Sequence, residues 1–208
     1  LIYQTKKANK MKSQNETNYA LVINKAVCPE VSSDKLKFKT YLLNDGAPIG
    51  AWRDAVRTAI IKGANAILMI GRGRPTQLSE KWDAVVVTDQ INVSGQNPLV
   101  GQNDDKFGTR FPDMSGLYSV EMVNKLLKAG KKTGLVFQSG VLLVPVNIEG
   151  ATTLERKILS QNKIAALSRD VFSGAITAKH AGCRCAGLIL FKNLNFDQLK
   201  NLITNIER

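Results

Sequence analysis

The residues of this chain best suited to chemistry are a pair of arginines, one histidine and three cysteines. Arg72 and Arg74 flank Gly73 directly after the apolar run Ala64 to Ile70. A guanidinium offers a planar fork of donors that suits phosphate, and strand ends are where α/β proteins hold such ligands. Two arginines on an exposed turn are more simply explained as solvated charge. His180 is the only histidine and closes a helical pattern, where a structural role is the simpler reading. Cys183 and Cys185 alternate on one face of a strand, far from Cys28. With no further ligand cluster they supply neither a zinc set nor a disulfide framework. Buried small hydrophobes explain them best, with a pairing to Cys28 left open.

The elements that must position these residues read as an alternation of strands and helices. Ala20 to Ile23, Phe38 to Leu43, Ala64 to Ile70 and Ala84 to Thr88 have strand composition. So do Thr133 to Phe137, Val141 to Val146, Ile164 to Leu167 and Cys185 to Phe191. Pro48 to Lys62 places Trp52, Val56, Ala59 and Ile60 on one helical face, and Gly63 ends it. Further helices are expected over Ser119 to Ala129, Thr152 to Gln161, Val171 to Ala181 and from Asp197 onward. This order predicts an α/β fold with a parallel or mixed sheet. A long Gly, Asn, Pro and Asp-rich loop spans Asn92 to Ser115, and loops of that length are usually functional or interfacial.

The 208 residues carry 29 Lys+Arg against 17 Asp+Glu, a net charge of +12. With 44% hydrophobic and 22% charged residues, a wholly disordered or fibrous protein is excluded. Residues 1–18 read as a basic polar arm and 19–208 as one domain. No apolar run approaches the ~20 residues of a membrane span. The chain begins at Leu1 rather than Met, which reads as processing, trimming of a tag, or the ordered part of something longer. Compartment stays open: the sequons at Asn15 and Asn92 allow secretion, while the basic charge allows an intracellular or organellar ribonucleoprotein setting.

The run Ile91-Asn92-Val93-Ser94-Gly95-Gln96-Asn97-Pro98-Leu99-Val100-Gly101-Gln102-Asn103-Asp104, continuing Phe107-Gly108-Thr109-Arg110-Phe111-Pro112-Asp113-Met114-Ser115 to Tyr118, resembles the purine nucleoside phosphorylase family. The nearer likeness is to the trimeric branch acting on 6-oxopurine nucleosides. Gly46-Ala47-Pro48 and Ala178-Lys179-His180-Ala181-Gly182 extend it, over about residues 36–193. The resemblance implies a mixed central sheet, partly closed into a barrel and flanked by helices. It implies a homotrimer in which Phe111 reaches a neighbour's ribose site. It implies phosphate as co-substrate only if the chain is active; no cofactor is expected, and no metal, for want of a Cys or His cluster.

Against that pattern, the groups for phosphate and purine are replaced. The family's N-terminal Gly-Ser-Gly phosphate loop has no counterpart, because no glycine precedes Gly46. Its Gly-Arg-Phe-His element corresponds to Lys39-Thr40-Tyr41-Leu42, and a leucine cannot donate a hydrogen bond. Its Asn-Ala-Ala-Gly-Gly turn falls on Gly71-Arg72-Gly73-Arg74-Pro75. Its purine-binding aromatic and glutamate fall on Gly150 and Ala151, with Glu149 two positions from the carboxylate. Its Met-Ser-Thr-Val-Pro-Glu falls on Arg169-Asp170-Val171-Phe172-Ser173-Gly174, and its Thr-Asn pair on Lys192-Asn193. Asn193 is the clearest survivor. The front loop and part of the family's helical tail are expected to be missing.

Loop and framework residues survive while site residues are lost, so the first reading is a pseudoenzyme. It would serve as a structural or binding component for an acidic partner, RNA or protein, met by a lysine-rich surface. A second reading is a divergent active phosphorylase or nucleosidase using Asn193, Glu149 and Arg72 or Arg74. A third is a secreted ligand-binding or storage protein.

Overall fold

The computed structural model describes residues 17–77, 81–147 and 152–207. Most of the expected basic arm lies outside these residues. Its last position, Asn18, is tied into the fold. Its backbone N–H donates to Asn65 Oδ1 and its side chain to the Gly63 carbonyl, both at 2.9 Å.

Strand β1 (Tyr19–Asn24) is buried along its whole length and runs parallel between β2 (Lys39–Leu43) and β3 (Ala66–Arg72). A continuous apolar run rather than an alternating one marks such a doubly covered strand. After Gly73 comes β4 (Arg74–Pro75), then β5 (Ala84–Asn92), β6 (Phe137–Val144), β7 (Ile164–Leu167) and β8 (Arg184–Leu190). Together they form an eight-stranded mixed sheet in the order β2-β1-β3-β8-β5-β6-β7-β4. β8 is parallel to β3 and antiparallel to β5.

The α/β architecture agrees with expectation, but the sheet is not closed into a barrel. It ends in two edges, β2 and β4. Only two residues of β4 pair with β7, and Pro75 has no N–H to extend that ladder. Of the strand-like runs at 133–137 and 141–146, the first contributes only Phe137 to β6, and residues 133–136 form the turn after a helix. Near the start of β6, Gln138 to Gly140 carry no apolar pattern, because that stretch is only partly covered.

Helix α1 (Ile49–Ile61) buries Trp52, Val56 and Ala59 against the sheet and against α4 (Phe172–His180). Helix α2 (Val120–Lys132) is capped by Ser119, whose side chain accepts the Met122 N–H, and packs on α5 (Phe196–Glu207). Helix α3 (Thr153–Gln161) starts with a capping box between Thr152 and Glu155, yet buries no residue.

The 92–115 loop is pinned to this frame at several points. His180 Nε2 lies 3.0 Å from the Thr109 carbonyl, and the Arg57 guanidinium stacks 4.7 Å above the Phe107 ring. Lys179 Nζ donates to the Ser115 carbonyl at 2.6 Å. At its tip the side chains of Phe111 and Val100 stand out, 87% and 80% exposed.

Candidate functional site

A cavity of about 940 Å³ is lined by segments that follow strand ends. Asp45 to Ile49 follow β2, Arg72 to Pro75 span the end of β3 and β4, and Gln96 follows β5. Asn147 follows β6, Ser168 to Asp170 follow β7, and Phe191 follows β8. Carboxyl ends of strands are where α/β sheets hold ligands, since backbone N–H groups and loop side chains converge there.

Among the lining residues Asp170 is only 7% exposed. Its Oδ2 accepts the Asn24 side-chain amide at 2.7 Å and the Arg72 backbone N–H at 2.8 Å. Asn24 Nδ2 also reaches Asp45 Oδ1 at 3.1 Å, while Asn24 Oδ1 accepts the Ala26 N–H at 2.9 Å. The amide is therefore held at both ends and its donors are aimed. The Asp170 N–H donates to Ser168 Oγ at 3.0 Å, and that hydroxyl donates to the Arg72 carbonyl. Burial pushes the Asp170 carboxyl above its ordinary range, partly countered by the donors from Arg72 and Asn24, with the Asp45 charge adding to the rise.

The backbone is shaped for this contact. Val171 adopts φ +65°, a left-handed conformation that is costly for a β-branched residue. A Cβ on Gly71 would fall 2.4 Å from the Asp170 Cβ, so only glycine lets β3 and the carboxylate approach. At Gly73 a Cβ would fall 2.6 Å from the Leu167 carbonyl oxygen, which fixes glycine at the step from β3 to β4.

Arg72 and Arg74 both line the cavity, but from strand ends rather than from a turn. The Arg72 guanidinium lies 3.7 Å from Asp45 Oδ2, with both side chains more than half exposed, a pair of little energetic weight. Arg169 donates to Gln96 Oε1 at 2.8 Å and joins the same rim. Ala47, Pro48, Ile49 and Phe191 supply the apolar wall. From the stretch after β8, Phe191 rather than Asn193 lines the cavity. Asn193 is exposed, in a segment drawn toward β1 by the Leu194 N–H to Val27 carbonyl bond at 2.8 Å. Phe111 stands outside the cavity, and Glu149 lies outside the described residues.

The remaining chemistry-capable groups belong to the frame. Cys28, Cys183 and Cys185 are buried free thiols. Burial pushes the Cys183 thiol up to about 11 and that of Cys185 to about 12, so both stay protonated and inert at neutral pH. Asp170 is what sequence reasoning missed. Its position in the replaced Met-Ser-Thr-Val-Pro-Glu segment was the available signal.

A family model for the phosphorylase superfamily matches residues 53–205. Purine nucleoside phosphorylase 1 of Bacillus subtilis is 33% identical over 111 residues, 53% of this chain and 41% of that protein. Purine nucleoside phosphorylase of Mus musculus is 35% identical over 130 residues, 59% of this chain and 44% of the relative. The chain thus spans less than half the length of these curated relatives. The crystal structure of the purine nucleoside phosphorylase from Schistosoma mansoni in complex with acetate superposes with a TM-score of 0.75 at 16% identity. That match covers 92% of this chain and 89% of the other, a likeness of fold. The chain belongs to the phosphorylase superfamily, within its purine nucleoside phosphorylase family.

Proposed function

We propose that this chain is a phosphorylase-family protein that does not carry out phosphorolysis and acts as a binding or structural component. Phosphorolysis of a nucleoside needs a phosphate dianion held beside the sugar, the purine leaving group stabilised, and the ribose clamped. The observation that carries the reading is the buried Asp170 carboxylate in the lining of the cavity. Two like charges 4 Å apart at an effective dielectric near 20 repel by roughly 4 kcal/mol. A dianion entering beside Asp170 meets that repulsion, and the donors it would use are already engaged. Purified protein is expected to release no hypoxanthine from inosine in a phosphate-dependent manner.

The partner we propose is acidic, RNA or an acidic protein, because the chain carries a net charge of +12 supplied mostly by lysine. Binding of that kind weakens steeply with salt. Self-association as a homotrimer through the 92–115 loop belongs to the same proposal, supported by the exposure of Phe111 and Val100.

A second reading, a divergent active phosphorylase or nucleosidase, is favoured by the size of the cavity and by Arg72, Arg74 and Arg169 on its rim. In that case Arg72 or Arg74 would hold phosphate as co-substrate.

A further inference from the structure

We infer that Asp170 is an internal anion: its carboxylate fills an oxyanion-binding cradle that the fold still builds at the ends of β1 and β3. The inference rests on the non-phosphorolytic reading of this cavity and gives it a cause.

The cradle consists of donors that converge on a single oxygen. Asn24, the last residue of β1, and the backbone N–H of Arg72, the last residue of β3, both point at Asp170 Oδ2. A backbone N–H and a side-chain amide are neutral donors, so they would serve any tetrahedral or planar oxyanion of suitable size. Asn24 cannot swing away freely, because its own Oδ1 is bound to the Ala26 N–H. Ser168 reinforces the arrangement by linking the Asp170 N–H to the Arg72 carbonyl. The cradle is therefore organised before any ligand arrives.

The carboxylate is also held there at a cost. It is buried, which disfavours its charge, and the next residue is a valine in left-handed backbone conformation. Gly71 leaves room for the Asp170 Cβ that no other residue would leave. No cation faces Asp170 Oδ2 within ion-pairing distance among the described residues; Arg72 directs its guanidinium to Asp45 instead. A carboxylate placed only for stability would be expected to have a cationic partner or a solvent-exposed position. These features fit a group whose work is to fill the donors.

The consequence is specific. Removing the carboxylate should open an inorganic-phosphate site at the cradle, with the rim arginines adding attraction. Titration calorimetry with inorganic phosphate on the full chain tests this with Asp170→Ser, and with Asp170→Ala as a variant that keeps only the Cβ already seated against Gly71. Binding on the order of tenfold or more tighter than wild type is expected in either folded variant. Asp170→Glu, which retains the charge, should show no gain, and Asn24→Ala added to Asp170→Ser should abolish it. Phosphate affinity equal in wild type, Asp170→Ser and Asp170→Ala would overturn the assignment. So would loss of folding in both neutral variants, since a plug is dispensable to the fold. Phosphate-dependent turnover of inosine by wild type would overturn the non-phosphorolytic reading instead, whatever the calorimetry of the variants shows.

Discussion

Asp170 holds its negative charge where burial opposes it, and that has a consequence for stability. Its carboxyl titrates above the ordinary carboxylate range in the folded chain, first because of desolvation. Between its unfolded and folded pKa the native state binds the proton that the unfolded state has lost. Stability from this group therefore falls as pH rises through that window and is recovered on acidification. Asp170→Asn removes the titration. The variant is expected to be as stable as wild type or more so at neutral pH, with a flatter stability profile in the mildly acid range. Urea denaturation followed across that range checks it, and a variant markedly less stable at neutral pH would count against the charge being strained. The sequence could not show this group at work. Asp170 meets Asn24 across 146 positions and Arg72 across 98, and nothing local in Arg169-Asp170-Val171 announces either contact. The arginines were legible because type and neighbourhood are local properties. Asn193 was legible as a motif match, but its place outside the cavity depends on how the chain leaves β8.

At the scale of elements, the cavity depends on one tight step in the chain. Gly73 carries the backbone from β3 in the middle of the sheet to β4 at its edge, past Ile189 and the Leu167 carbonyl. Gly73→Ala sets a Cβ against backbone, which cannot yield as a flexible side chain can. A loss of about 1–3 kcal/mol is expected, read as a lower urea midpoint with an unchanged slope. A neutral effect would mean that β4 can shift freely. Most helices and strands were readable from periodicity and composition, because β1, β3 and β8 are continuous apolar runs and α1 has a clear buried stripe. β4 was not, since two residues ending in proline carry no pattern and exist only through pairing with β7.

For the whole molecule, the net charge of +12 bears on encounter rather than on the cavity. Retention on an acidic polymer should fall steeply between low and physiological salt. Light scattering in dilute solution tests self-association. A mass near three chains is expected, reduced by Phe111→Ser, and a monomer at all concentrations would remove the loop as an assembly surface. Whether phosphate can take part in chemistry at this site decides between a binding protein and an enzyme. A single-turnover experiment, with protein in excess over inosine and saturating phosphate, removes any limit set by product release. No hypoxanthine above the phosphate-free control is the predicted result. A phosphate-dependent release that accounts for the bound inosine, and that withstands further purification of the protein, would contradict it.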